Sequence, residues 1–163
     1  MGNTKNVSTI LRLSISIVIC QVVGAAGAFS VIPAIVPWYD TLKKPFLIPP
    51  NWAVVPIWIV LYLLMGVALF LVWNTKDKTA NVKTVAATTF VIQSGLNTIW
   101  PILFFTLRSP SAAFIEFMAL WIMVIFNAFI FWRISKTACY LLLPYVLWIT
   151  AAGIVNFYVI LMN

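Results

Sequence analysis

The chain has 163 residues, of which 64% are hydrophobic and only 8% charged. A soluble domain carries about 25% charged and 45–50% apolar residues, so this chain cannot cover a water-facing surface. That excludes a soluble enzyme, a disordered chain and a disulfide scaffold, and it points to an integral membrane protein of one domain. The formal net charge of +7 does not indicate nucleic-acid binding, because the basic residues are scattered at the ends of apolar runs and form no stripe. There is no histidine, and the two cysteines, Cys20 and Cys139, lie far apart. No metal site and no His-ligated haem are expected from such a composition.

A membrane-spanning helix needs roughly 20 apolar residues. Five runs meet that length: Ile10 to Val36, Asn51 to Trp73, Val82 to Leu107, Ser111 to Trp132 and Ala138 to Met162. The expected fold is all-α, an integral membrane bundle of five transmembrane helices, with residues 1–163 forming one domain. The first run is too long for the apolar core of a signal peptide, about 7–15 residues. It is read as a span, although Ala26 and Ala28 resemble a cleavage site. Its small residues Cys20, Gly24, Gly27 and Ala28 suit close helix packing, within the protein or between protomers.

The connections are short apart from residues 37–50, which run from Pro37 through Trp38, Tyr39 and Lys44 to Pro49 and Pro50. Four of these fourteen residues are proline, which fixes backbone angles and blocks helix. Pro49 and Pro50 suit the first turn of the second helix, where a missing N–H is harmless. Two readings of the segment stand together: a lid over a bundle mouth, and an interfacial anchor of aromatic residues at headgroup level.

Charge sets the expected topology. Lys5, Arg12, Lys76, Lys78, Lys83, Arg133 and Lys136 fall on one side, and Lys43, Lys44 and Arg108 on the other. Basic residues favour the cytoplasmic side, which places the N-terminus inside and the C-terminus and the proline-rich loop outside.

Polar residues inside spans usually face the bundle interior. On the third run Gln93, Asn97, Trp100 and Phe104 share one helical stripe, at spacing i, i+4, i+7, i+11. Pro101 is expected to bend this helix and free a carbonyl. Trp58, Tyr62 and Met65 form a stripe on the second run, just after Pro56. Tyr145, Trp148, Ala152 and Asn156 form one on the fifth. Glu116, Leu120, Met123 and Asn127 share a face of the fourth. Such stripes serve either as hydrogen-bonding glue between helices, at about 0.6–2 kcal/mol per bond, or as the wall of a pocket. Convergent Trp and Asn on three helices favour the pocket. Glu116 is either a functional group or the partner of a neighbouring amide or water.

Three segments resemble the signatures of the tryptophan-rich sensory protein and translocator protein family (TspO/MBR), which includes the peripheral-type benzodiazepine receptor. The first is Trp38-Tyr39-x-x-Leu42-x-Lys44-Pro45-x-x-x-Pro49-Pro50 followed by Trp58. The second is Gln93-x-x-Leu96-Asn97-x-x-Trp100-x-x-x-Phe104-Phe105. The third is Leu142-x-Pro144-Tyr145-x-x-Trp148-x-x-Ala151 followed by Asn156. The resemblance covers residues 10–163. It implies a five-helix homodimer with a pocket beneath the first long loop, binding protoporphyrin IX and benzodiazepine-type lipophiles and regulating porphyrin levels. It places Trp58, Trp148, Asn97 and Trp100 in that pocket, with Tyr39, Pro49, Tyr62 and Ala152 on its lining. Together with Gln93, Phe104 and Asn156 from the stripes, these are the candidate ligand-binding residues. No cofactor is required, and membrane lipid is the other expected partner.

The resemblance leaves other functions open. Some bacterial relatives degrade protoporphyrin in light, which would make Trp58 and Trp148 catalytic. Transport of porphyrin or another lipophile is less favoured, since Glu116 is the only acidic residue inside a span, and a purely structural role would leave the tryptophans without a ligand. The sterol-recognition stretch of animal members needs a basic residue shortly after a tyrosine. Here Tyr158 is followed by Val159-Ile160-Leu161-Met162-Asn163, so sterol recognition through that stretch is not expected. A prokaryotic cell membrane is the expected location.

Overall fold

The structure is a computed structural model that describes residues 2–31, 38–45, 48–76 and 80–163. The end of the first apolar run near Val36, Pro37 at the start of the loop, Phe46 and Leu47 within it, and Asp77 and Lys78 in the second connection lie outside the described residues.

Five α-helices carry the fold: α1 (Gly2–Val31), α2 (Asn51–Asn74), α3 (Ala80–Pro101), α4 (Pro110–Ile134) and α5 (Lys136–Met162). Each falls on one of the five apolar runs. α1 begins earlier than its run, because hydropathy marks the lipid-embedded part of a helix whereas its hydrogen bonds continue through the polar first turns. At 30 residues and about 1.5 Å per residue, it exceeds the roughly 30 Å hydrocarbon core of a bilayer.

α1, α2, α4 and α5 are long and apolar enough to cross a membrane by length and composition. α3 spans 22 residues and is more polar. Three of its hydroxyls are turned back onto their own helix. Thr84 donates to the Ala80 carbonyl, Ser94 to that of Phe90 and Thr98 to that of Ser94. These bonds satisfy polar groups that would otherwise face lipid unpaired.

The helices form a closed ring. α1 packs between α2 and α3, α4 between α3 and α5, and α5 returns to α2. Glycine permits the closest approaches. A Cβ on Gly66 would stand 2.7 Å from the Ile17 Cα, so α2 touches the α1 backbone there. Cys20, Gly24 and Gly27 are buried within this bundle rather than left for a second protomer.

Prolines shape the ends that matter. Pro50 is the N-cap of α2, with an extended ψ of 141°. Pro101 closes α3 and is followed by a single π-helical segment, Ile102–Thr106, in which the Leu107 N–H reaches the Ile102 carbonyl at 2.9 Å. The i→i+5 turn is wider than an α-turn. Proline also lacks the N–H that would bond the Asn97 carbonyl four residues back. That carbonyl faces Gly27 of α1, 3.8 Å from where a Cβ would sit. After Arg108, in the left-handed region at φ 50°, Ser109 caps α4 by accepting the Ala112 N–H, and Pro110 takes the first helical position. Ser135 both ends α4 and caps α5.

The half of the bundle toward the α2–α3 and α4–α5 connections is solid. Val72, Ala86, Phe90, Phe131, Ala138 and Leu142 are buried there, with Phe90 and Phe131 stacked at 6.1 Å between ring centres. At its rim Arg12 lies over Trp73, Arg133 over Phe129 and Lys136 over Trp132. The opposite half is hollow.

Candidate functional site: an aromatic cavity at one end of the ring

The hollow half encloses a cavity of about 460 Å³, within the range of small-molecule sites. Every helix contributes the half that lies next to the α1–α2 loop: Gly27 and Ala28 of α1, Trp58 and Tyr62 of α2, Asn97 and Trp100 of α3, Phe117 and Leu120 of α4, and Trp148 and Ala152 of α5. Tyr39, Ile48 and Pro49 of the loop complete the wall.

Nearly all the residues singled out from the sequence meet here. Tyr39, Pro49, Trp58, Tyr62, Asn97, Trp100, Phe104, Trp148, Ala152 and Asn156 all line the cavity. Gln93 does not. It is fully buried deeper in the bundle, where its Oε1 accepts from Asn127 Nδ2 at 3.0 Å, and the Asn127 Oδ1 accepts from Thr89 at 3.1 Å. The stripe from Gln93 to Phe104 is therefore one face with two duties, glue at its base and wall above. Met65 and Asn127 likewise belong to the core. Glu116 stands beside the lining residue Phe117. Both its carboxylate oxygens are buried and find no donor among the described residues.

Three hydrogen bonds brace the interior. Asn97 Nδ2 donates to the Tyr145 hydroxyl. Trp100 Nε1 donates to Asn156 Oδ1 at 3.1 Å, and Asn156 Nδ2 donates in turn to the Pro110 carbonyl at 3.0 Å. The polar atoms of the wall are thus largely committed to one another, and what remains for a ligand is mainly apolar and aromatic surface. Trp100 and Phe104 stack at 5.3 Å, and Phe105 meets Trp100 edge-on at 5.9 Å.

Residues 38–45 of the loop lie at the mouth. Tyr39 and Leu42 pack on a small cluster of Phe104, Ala113 and Val159. Lys44 places its ammonium 3.8 Å from the centre of the Tyr39 ring and pairs with Asp40 at 3.4 Å. Burial raises the Tyr39 phenol above its ordinary pKa, and the charge of Asp40 raises it further.

The sequence pattern of the TspO/MBR family matches residues 16–162. The chain belongs to that family. Among relatives, the tryptophan-rich protein TspO of Archaeoglobus fulgidus is 41% identical over 155 residues, covering 94% of this chain and 98% of its own. The protein of the same name from Chlorobaculum tepidum is 39% identical, over 94% and 97% of the two chains. The translocator protein of Homo sapiens is 30% identical over 74% and 71%. With its apolar helices, TspO/MBR membership makes this an integral membrane protein.

Tyr145, Phe105, Phe117 and Leu120 also line the cavity and were not among the candidates. Tyr145 stands on the stripe that supplied Trp148 and Asn156, so the same periodicity reaches it. Phe105 is brought in by the wide π turn after Pro101, which an α-helical spacing does not anticipate.

Proposed function

We propose that the protein is a membrane receptor or sensor that binds tetrapyrroles, protoporphyrin IX in particular, and benzodiazepine-type lipophiles, and so regulates porphyrin levels. The observation that carries this reading is the cavity itself, walled by Trp58, Trp100, Phe104 and Trp148. A free-base porphyrin is a flat apolar disc with carboxylates at one edge. Indole faces suit the disc, and Lys44 over Tyr39, with Lys43 beside it, suits the carboxylates at the mouth. Relatives named tryptophan-rich sensory protein and translocator protein are in keeping with a sensing role.

The proposed setting is a prokaryotic cell membrane, in keeping with the archaeal and bacterial relatives at 41% and 39% identity. Arg12, Arg133 and Lys136 at the solid end favour that end as cytoplasmic, with the N-terminus inside and the cavity mouth outside. The family resemblance supports a homodimer.

Titration of the detergent-solubilised protein with protoporphyrin IX, followed by tryptophan fluorescence in the dark, tests the reading. Saturable quenching is expected, weakened in a Trp58→Phe/Trp148→Phe double variant. Absence of saturable quenching in the wild type overturns the porphyrin assignment. A second reading, light-dependent oxidation of the bound porphyrin by oxygen, is favoured by the presence of both Trp58 and Trp148 on the wall. It predicts loss of the main porphyrin absorption band under light, with a new product in wild type alone.

A further inference from the structure

We infer that Asn163 is the latch that fixes residues 38–45 of the α1–α2 loop at the cavity mouth. Its Oδ1 accepts the Lys43 backbone N–H at 3.0 Å, and its Nδ2 donates to the Lys43 carbonyl at 3.1 Å. The second Nδ2 proton goes to the Val159 carbonyl at 2.8 Å, one turn back on α5. A primary amide carries a donor and an acceptor side by side. It can therefore pair both backbone groups of one residue, as a neighbouring β-strand would. Lys43 and Asn163 are 120 positions apart, so this pairing ties the loop to the end of α5.

Both ends of the tie lead to the cavity. Val159 lines it and belongs to the buried cluster against which the loop residues Tyr39 and Leu42 pack. Lys44, next to Lys43, stands over the Tyr39 ring. The loop thus meets the bundle at an apolar patch and at the latch. Apolar contact is non-directional and tolerates sliding, whereas two bonds to one residue fix register. Asn163 is not itself a lining residue of the cavity; it is a positioning residue that holds Tyr39 and Lys44 in place through the backbone. A ligand passing between residues 38–45 and the end of α5 must part Lys43 from Asn163.

The test uses the full chain in lipid nanodiscs, comparing wild type with Asn163→Asp and Asn163→Ala. The aspartate keeps the shape and the acceptor but sets a carboxylate oxygen against the Lys43 carbonyl. Backbone hydrogen exchange without ligand is expected to rise on the order of tenfold across residues 38–45 in both variants, with α3 and α4 unchanged. Unchanged exchange in that segment overturns the latch. So does a rise through the whole bundle, which would make Asn163 only a cap of α5. Stopped-flow quenching by protoporphyrin IX adds a second arm: association and dissociation both quicken in the variants, and equal rates in all three proteins overturn the latch. This arm rests on the cavity reading. If wild type binds no porphyrin, that reading fails alone, and exchange still decides the latch.

Discussion

Asn97 and Tyr145 join their side chains across the cavity, the amide donating to the hydroxyl. α3 and α5 are not neighbours in the ring, so this bond and the one from Trp100 to Asn156 are struts through the interior rather than seams between packed helices. Tyr145→Phe removes the hydroxyl and leaves the Asn97 amide without its partner. A loss of about 1–3 kcal/mol is expected, read as a lower midpoint of thermal unfolding in detergent. Asn97→Leu/Tyr145→Phe, which removes both partners, should recover part of that loss. A single variant as stable as wild type would show that the strut carries no load.

The pair Gln93–Asn127 gives the opposite expectation for binding. Asn127→Leu strands the Gln93 side chain in the core and should destabilise the protein by about 1–3 kcal/mol. Gln93→Leu/Asn127→Leu should be milder. Since neither residue lines the cavity, porphyrin affinity of the folded double variant should stay within twofold of wild type. A tenfold loss in fluorescence titration would put Gln93 back into the site.

Gly153 sets the position of one wall. A Cβ there would stand 2.7 Å from the Phe117 ring, and Phe117 lines the cavity. Gly153→Ala must push that ring aside, at a cost of about 1–3 kcal/mol. Weaker binding of the flat porphyrin is expected. Gly153→Ala/Phe117→Leu, which frees the space, should restore stability; if it does not, the clash is not the cause.

The Tyr39 phenol yields a pH dependence. Its folded pKa is raised, so the docked loop favours the protonated form. The phenol of the released loop ionises near its usual value of about 10. Below that value the contribution to docking is complete. Above it the released form loses its proton first and docking weakens as pH rises. Hydrogen exchange of residues 38–45 should therefore accelerate above about pH 10 in wild type, and less steeply in Tyr39→Phe. Equal slopes would remove Tyr39 as the source.

Much of this site was legible from spacing. Asn97, Trp100 and Phe104, or Trp148, Ala152 and Asn156, share a helical face, and polar or aromatic residues in a span turn inward. Periodicity gives a face but not a depth, which is why Gln93 shares the stripe of Asn97 yet lies below the cavity. Apolar lining residues such as Phe117 were hidden for another reason. In a chain this hydrophobic, inward and lipid-facing positions have the same composition: Ile115, which is 74% exposed, is as apolar as its neighbour Phe117. The tie between Lys43 and Asn163 joins two ordinary polar residues 120 positions apart, and no local pattern marks it.

The stacked Phe90 and Phe131 plug the bundle on the side away from the loop. The vessel that results is a cup and not a tube. Whatever it holds must leave over the rim by which it came, or slip sideways between two helices into the bilayer. Onward passage along the axis would require α3 and α4 to part through their own aromatic core. Occupancy of the cup is therefore governed at its lip, where the loop meets the end of α5, and at the seams between its helices.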